Sequence, residues 1–198
     1  MAPWWLVPLA WSFPIAFFCY KTSQFGNSNQ ANLFFLAAGG LYWTLMEYTL
    51  HRFFFHAEDN WMNYVPKTRA LYTFHFMVHG IHHAFPSDRY RLVFPPAPGF
   101  IIVACMIVPP LVTVMPPNVF YPFMIGFALG YICYDMIHYY LHHGTDMPEY
   151  FRDLKTYHMQ HHYKYGKIGY GVSNKLWDIV FDTKIEDKKA ATMPKVNH

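Results

Sequence analysis

Residues 92–134 form an uninterrupted run of 43 residues without a charged side chain, which limits the folds open to the chain. A helix needs about 20 apolar residues to cross a bilayer, so this run can hold two membrane-spanning helices. The shorter charge-free runs at residues 1–20 and 22–46 can each hold one more. Charged residues are only 14% of the chain, against roughly 25% in a typical soluble domain. We therefore predict an all-α membrane protein with four transmembrane helices, at about residues 3–20, 30–50, 97–115 and 119–140.

Basic residues are distributed unevenly, and their distribution predicts the orientation in the membrane. Of the fifteen lysines and arginines, only Lys21 lies between the first two predicted spans, and the other fourteen lie in residues 52–91 and 152–195. By the positive-inside rule, these two segments and both termini are cytosolic. The net charge of +3 then reflects topology and attraction to anionic lipid, and we expect no nucleic-acid partner.

Histidines occur in four clusters, and two of these clusters share the pattern H-x-x-H-H. On a helix, the three histidines of such a pattern lie on one broad face, because residues three and four apart are neighbours. Imidazole is the commonest side-chain metal ligand, and three on one helical turn are hard to explain by packing. The candidate ligands are His51, His56, His79, His82, His83, His138, His142, His158, His161 and His162.

All four clusters fall at or just beyond the cytosolic ends of the predicted spans. The simplest architecture that unites them is a cytosolic, helical, His-rich cap, built from residues 51–95 and 141–185, on four transmembrane helices. One metal takes about four to six ligands, so ten imidazoles indicate two metal ions. His51 and His56 point about 140° apart on an ideal helix, so the helix must break there or the two serve different sides of the site. Imidazole suits zinc, copper, iron and nickel, so the ligands alone do not name the metal.

Other polar residues near the clusters are candidates for supporting roles. Glu47 and Asp135 each lie about one helical turn before a candidate ligand, and each could accept the second N–H of that ligand. The alternative is a carboxylate solvated at the membrane interface. His75 lies four residues before His79 and is a candidate to support a ligand rather than to bind metal. The candidates to hold a substrate head group, which could also simply face solvent, are Asp88, Arg89 and Arg91.

Four stretches of the chain carry a resemblance to a known family. They are EYTLHRFFFH (47–56), HFMVHGIHHAFPSDRYRLVFPP (75–96), GYICYDMIHYYLHH (130–143) and YHMQHHYKYGKIGYGVSNKLWDIVFDT (157–183). The chain resembles the membrane fatty acid hydroxylase superfamily, which shares its histidine spacing with membrane desaturases and sterol-modifying oxidases. The SDRYRLVFPP and GYGVSNKLWDIVFDT stretches make it most similar to the fatty acid 2-hydroxylases, also called sphingolipid α-hydroxylases.

The resemblance implies O2-dependent hydroxylation of the carbon next to the carboxyl or amide of a long-chain fatty acyl group. The substrate would be a free fatty acid or a ceramide, used in sphingolipid synthesis in the endoplasmic reticulum membrane. The metal pair is expected to be iron, because zinc has no redox chemistry, although zinc can occupy such a site in the isolated protein. Electrons are expected from cytochrome b5 and its reductase.

Two other functional classes use similar residues. A sterol-modifying oxidase or an acyl desaturase would apply the same metal site to another substrate. A histidine-rich metal transporter is a different class, but transporters hold their ligands near the bilayer midplane, whereas these histidines lie at the ends of spans.

We expect residues 1–198 to form a single hydroxylase domain. Several members of the family carry a cytochrome b5 domain before the membrane part, whereas this chain begins at its first predicted span. The chain is therefore expected to be a family member without that domain or a fragment of a longer protein.

Overall fold

The computed structural model of the protein describes residues 1–186, and within these residues the fold is helical, without a β-strand. The α-helices are α1 (Leu6–Ser23), α2 (Asn29–Thr49), α3 (Arg69–His75), α4 (Ile81–Ala84), α5 (Pro96–Ile102), α6 (Val108–Val114), α7 (Pro117–His143), α8 (Glu149–Tyr163) and α9 (Leu176–Val180). Three π-helical segments lie at Leu50–Phe55, Phe76–Gly80 and Val103–Ile107, and two 3-10 helices lie at Ala57–Asp59 and Trp61–Tyr64. The predicted all-α fold is thus confirmed for these residues, while residues 187–198 of the predicted domain lie outside them.

Local sequence signals mark where the two longest described helices begin. Ser28 caps α2, because its hydroxyl oxygen accepts a hydrogen bond from the N–H of Ala31 at 3.2 Å. Pro117 is the first residue of α7, a position where the backbone N–H makes no hydrogen bond within the helix, so proline costs nothing there. Both helices carry histidines at or just beyond their C-terminal ends. The start of each helix therefore sets the depth at which its histidines lie.

Glycines allow α2 and α7 to approach each other closely. A Cβ atom added to Gly39 would lie 1.9 Å from the carbonyl oxygen of Phe123, and one added to Gly126 would lie 1.8 Å from that of Leu36. Such contacts between helix backbones require residues without side chains. The crossing fixes the relative positions of the two helix ends that carry histidines.

Two helices in the described residues are long and apolar enough to cross a membrane, by length and composition. One is Pro96–Val114, which comprises α5, a π-helical segment and α6, and the other is α7. They coincide with the last two of the four predicted spans. The helices α1 and α2 occupy the positions of the first two predicted spans, and their role as spans stays a prediction.

The segments that follow α2 and α7 meet over the same end of these helices. His82 of α4 lies 3.1 Å from His138 of α7, measured between the Nε2 atoms. Glu47 of α2 accepts hydrogen bonds from the N–H groups of Val172 and Ser173, at 3.0 and 2.7 Å. A small core within this region contains the buried residues Leu141, Leu154 and Val172. The histidine clusters are collected in this cap.

Candidate metal centre

A change of helix type at the end of α2 brings His51 and His56 together. The segment Leu50–Phe55 is π-helical, and the N–H of His56 donates to the carbonyl of His51 at 3.0 Å. Because a π-helix pairs residue i with i+5, residues five apart lie on the same side, and the two ring centroids are 5.1 Å apart. The α-helix therefore changes to a π-helix at this point, and the rings of His51 and His56 lie on one side instead of about 140° apart.

All ten candidate ligands lie together in two adjoining groups. Group A consists of His82, His138, His142, His158 and His162, whose candidate ligand atoms lie within 4.8 Å of one another. Group B consists of His51, His56, His79 and His83, which meet the same limit, together with His161. The Nε2 atom of His161 lies 3.0 Å from that of His56. The groups touch where the rings of His83 and His162 stack, with centroids 4.2 Å apart.

Each H-x-x-H-H motif supplies candidate ligands to both groups. In the first motif, His79 and His83 belong to group B and His82 to group A. In the second motif the assignment is reversed, with His161 in group B and its two partners in group A. Neighbouring residues on a helix point about 100° apart, so an adjacent pair of histidines can serve two neighbouring metal positions. This geometry gives a physical reason for the doubled histidine.

Main-chain carbonyls fix the tautomer of three of these rings. The accepting carbonyls are those of Tyr170 for His51, Ile168 for His161 and Leu92 for His138, at 2.5, 2.9 and 3.0 Å from Nδ1. Because Nδ1–H donates in each case, Nε2 carries a lone pair. Within the described residues the Nε2 atom of His51 is buried without a hydrogen-bond partner, and that of His161 faces another imidazole nitrogen. Buried lone pairs in this arrangement are stabilised by a cation, so the residues fit a metal ion.

The distances between ring nitrogens also fit metal ligands. In group A, the Nε2 atom of His158 lies 3.0 Å from those of His142 and His162. Two nitrogens bound to one metal at about 2.1 Å would lie about 3.0 Å apart at right angles and about 3.4 Å apart in a tetrahedral site. The observed spacing therefore favours a coordination number above four, in keeping with five imidazoles in each group.

Burial lowers the pKa of several histidines of the cap. It lowers the pKa of His79 and His158 well below the usual value, and the charges of neighbouring histidines lower it further. The pKa of His161 falls to about 3, chiefly through burial and secondly through the charge of His56. Because an imidazole must be unprotonated to bind a metal ion, these pKa values keep the ligands available at neutral pH.

The two predicted supporting carboxylates do not contact a histidine. Glu47 accepts hydrogen bonds from Val172 and Ser173, and Asp135 accepts one from the N–H of Phe94 at 3.3 Å. The histidines one turn later donate to main-chain carbonyls instead, because the segments at residues 92–94 and 168–173 lie between carboxylate and ring. Each carboxylate thus holds the segment that holds the histidine. Carbonyl acceptors have no sequence signal, so this intermediate layer could not be predicted.

Two histidines that are not in the predicted ligand set, His75 and His143, lie outside both groups, and a third, His198, lies outside the described residues. Nε2 of His75 is 2.8 Å from the carbonyl oxygen of Phe55 and 2.7 Å from a carboxylate oxygen of Glu58. Glu58 also lies 3.5 Å from Nδ1 of His56, so His75 supports a group B ring through one carboxylate. His143 packs against Tyr139, with ring centroids 4.8 Å apart.

An apolar cavity of about 550 Å³ lies beside the histidines. Its wall includes His79, His82 and His138, and it also includes Met77 and Ile101, which are 60% and 64% exposed. The volume lies within the range of small-molecule sites, about 300–1,000 Å³. An apolar chain could therefore enter from the side of the helices and reach both histidine groups.

Of the predicted head-group residues, Arg91 is the one that lines this cavity. Its Nε lies 3.1 Å from a carboxylate oxygen of Asp88, and its guanidinium lies over the ring of Phe85 at 5.1 Å. Asp88 therefore orients Arg91, whereas Arg89 is exposed and is not among the described residues that form the cavity wall.

Two groups of five imidazoles beside an apolar cavity define a histidine-rich helical protein with clusters that could bind metal ions. The chain belongs to the fatty acid hydroxylase family, whose model matches residues 36–183. It is 40% identical to the ceramide very long chain fatty acid hydroxylase SCS7 of Saccharomyces cerevisiae over 91% of this chain and 45% of that protein. It is also 40% identical to the dihydroceramide fatty acyl 2-hydroxylase FAH2 of Arabidopsis thaliana, over 95% of this chain and 76% of that one.

A solved structure also resembles the whole described fold. It is that of full-length scs7p, in which only the hydroxylase domain is visible, with a TM-score of 0.87 and 36% identity. The match covers 99% of this chain and 70% of that one. The chain spans about half the length of SCS7 and of its Schizosaccharomyces pombe counterpart, 45% and 51% respectively. The predicted family is thereby confirmed.

Proposed function

We propose that the protein catalyses O2-dependent 2-hydroxylation of long-chain fatty acyl groups, in free fatty acid or ceramide, for sphingolipid synthesis. The observation that carries the proposal is the position of ten imidazoles, in two adjoining groups, at the wall of an apolar cavity. The printed names of the relatives, a ceramide very long chain fatty acid hydroxylase and a dihydroceramide fatty acyl 2-hydroxylase, support the substrate class.

The reaction places one oxygen atom of O2 on carbon 2 of the acyl chain and reduces the other to water. It consumes two electrons and two protons from outside the substrate. A C–H bond next to a carbonyl in a saturated chain cannot be oxidised by acid–base groups alone, so two iron ions, held by groups A and B, would supply the oxidising chemistry. The all-nitrogen ligand set supports iron or another borderline metal, and zinc would compete for the same site without redox activity.

The protein's own residues would bind and orient the acyl chain. The cavity wall near the membrane-facing helices is apolar, so it would hold the hydrocarbon tail and exclude water from the histidines. Arg91, fixed by Asp88, would hold the polar head of the lipid by hydrogen bonds to its carboxyl or amide oxygen. A head group held there, with the tail in the cavity, would bring carbon 2 to the side of the cavity where His79, His82 and His138 lie.

Electrons would come from cytochrome b5 and its reductase. A surface cleft formed by residues 83–88 and Tyr163 reaches His83, the group B ligand that stacks on His162 of group A. A redox partner at this cleft would therefore need to pass electrons over only a short distance to reach a ligand ring.

We also propose that one hydroxylase domain crosses the endoplasmic reticulum membrane four times, with the cap, the metal site and both termini in the cytosol. The outer faces of α1 and α2 support the two additional spans, because they expose Phe13 (71%) and Phe34 (68%). Fourteen of the fifteen basic residues lie in the segments assigned to the cytosol. An N-glycosylation acceptor inserted between α1 and α2 should be modified in microsomes, and one inserted at residues 63–67 should not.

The enzymatic proposal is tested with protein loaded anaerobically with Fe(II) and reconstituted in vesicles. It receives ¹⁸O2, reduced cytochrome b5 with its reductase, and in parallel reactions a long-chain acid, a ceramide or a sterol. We expect a product with one ¹⁸O atom on carbon 2 of the acyl chain, identified by mass spectrometry. Zinc-loaded protein is the control and should be inactive. An unlabelled product, a new double bond or an oxidised sterol would contradict the proposal.

A further inference from the structure

One loop orients two ligands of group B without binding metal itself. The carbonyl of Tyr170 accepts a hydrogen bond from His51, and the carbonyl of Ile168 accepts one from His161. These bonds set the direction in which each Nε2 lone pair points. The two histidines come from distant parts of the chain, the end of α2 and α8, so the loop at residues 168–173 is what relates them.

Asp178, on α9, holds this loop. The residue is fully buried, at 0% exposure, and one carboxylate oxygen accepts from the N–H of Tyr170 at 2.9 Å while the other accepts from that of Gly171 at 2.7 Å. The hydroxyl of Thr183 donates a third hydrogen bond at 2.7 Å. Asp178 lies outside every histidine cluster in the described residues, and it has no part in the proposed binding or oxidation of the lipid.

The shape of the loop is matched closely to this carboxylate. A Cβ atom added to Gly171 would lie 2.8 Å from Oδ2 of Asp178 and 2.1 Å from the carbonyl oxygen of Asn174. Gly169 has a φ of +77°, a conformation that other residues rarely adopt. The backbone therefore folds around the Asp178 side chain, and a change at that side chain must move the carbonyls of the loop.

Group A is held in part by a different segment of the chain. Its ring at His138 donates to the carbonyl of Leu92, in the segment before α5. That segment is tied to α7 by Asp135, which accepts from the N–H of Phe94. The two groups are thus oriented by different parts of the chain.

We propose that Asp178 is a positioning residue for the metal ion of group B alone. It holds the carbonyls at residues 168 and 170 where they orient His161 and His51, while group A is oriented independently. This inference rests on the proposed two-metal centre, but it concerns metal binding and does not depend on which lipid is oxidised.

The test is the metal content of the full chain with Asp178→Asn. The amide nitrogen of asparagine cannot accept a hydrogen bond, so one of the two loop N–H groups loses its acceptor. After loading with Fe(II) and dialysis, we expect the wild-type protein to hold about two ions and the variant about one. The same measurement with Co(II) should show about half of the visible d–d absorption. Asp153→Asn, which changes an exposed carboxylate bonded to Lys175, is the matched control and should keep both ions.

Retention of both ions by Asp178→Asn, or a parallel loss of both, would overturn the proposal, because a general loss of stability does not discriminate between the groups. If that variant does not fold, Thr183→Val removes only one of the three hydrogen bonds to the carboxylate. It should weaken binding of one ion and leave the other unchanged, and equal weakening of both would again overturn the proposal. Wild-type protein that binds two ions without oxidising lipid would contradict the proposed function, whereas selective loss of one ion would still support the role of Asp178.

Discussion

Substitution of Gly126 by alanine should destabilise the protein by separating α2 from α7. The new Cβ atom would lie 1.8 Å from the carbonyl oxygen of Leu36, and ordinary contact begins at 3.4 Å, so the helices must move apart by about 1.6 Å. Overpacking of this kind costs about 1–3 kcal/mol, and we expect the upper part of that range because the obstacle is backbone. For a chain of this size, 2–3 kcal/mol corresponds to a fall in Tm of about 4–12 °C.

Gly40→Ala provides a matched control on the same helix pair. Its added Cβ atom would lie 3.7 Å from the carbonyl oxygen of Gly126, which is an ordinary contact. Alanine is a better helix former than glycine by about 1 kcal/mol, so this variant should melt at or slightly above the wild-type temperature. Tryptophan fluorescence of the metal-loaded protein in detergent measures both transitions. Equal melting temperatures for the two variants would refute the close approach of α2 and α7.

Three further outcomes follow from the geometry of the site. His142→Ala should lose one metal ion while its neighbour His143→Ala keeps both, as measured by metal analysis, because only His142 belongs to group A. Gly99→Phe, which extends into the cavity beside Trp11, should shift the acyl products detected by mass spectrometry toward shorter chains without changing metal content. Acidification should release metal and unfold the cap. His161 binds fewer protons in the folded protein than in the unfolded chain, because folding lowers its pKa from 6.5 to about 3. The free energy of unfolding therefore falls as the pH drops from about 6.5 toward 3. Fluorescence and metal release measure this change. Metal retained at pH 4 would contradict this.

The sequence predicted the helical fold and the family because both depend on strong local patterns. Long charge-free runs indicated helices of the right length at the right places, and the doubled histidine motif selected ten residues that the structure brings together. Their assignment as ligands stays a prediction, as do the spans at α1 and α2. The approach of α2 to α7 could not be foreseen, since a glycine in a helix does not show which residue it faces.

The contacts that orient the candidate ligands could not be predicted from the sequence. Among the described residues, Glu47 and Asp135 accept hydrogen bonds from main-chain N–H groups rather than from histidines, because sequence spacing places groups on one helix but does not reveal a chain segment inserted between them. The carbonyls that take this role belong to Ile168, Tyr170 and Leu92, whose side chains say nothing about it. For the π-helical segment after α2, the sequence predicted only an interruption of the α-helix between His51 and His56, as one of two alternatives. The type of helix there depends on tertiary contacts of the cap.

The proposed reaction requires that ten histidines hold two metal ions side by side. X-ray absorption at the iron edge of wild-type protein, loaded anaerobically and freed of excess metal, measures this most directly. We expect about two irons per chain, each with about five imidazole ligands and no sulfur, in keeping with the spacing of the Nε2 atoms. A single iron per chain, or a shell that contains sulfur, would contradict the account.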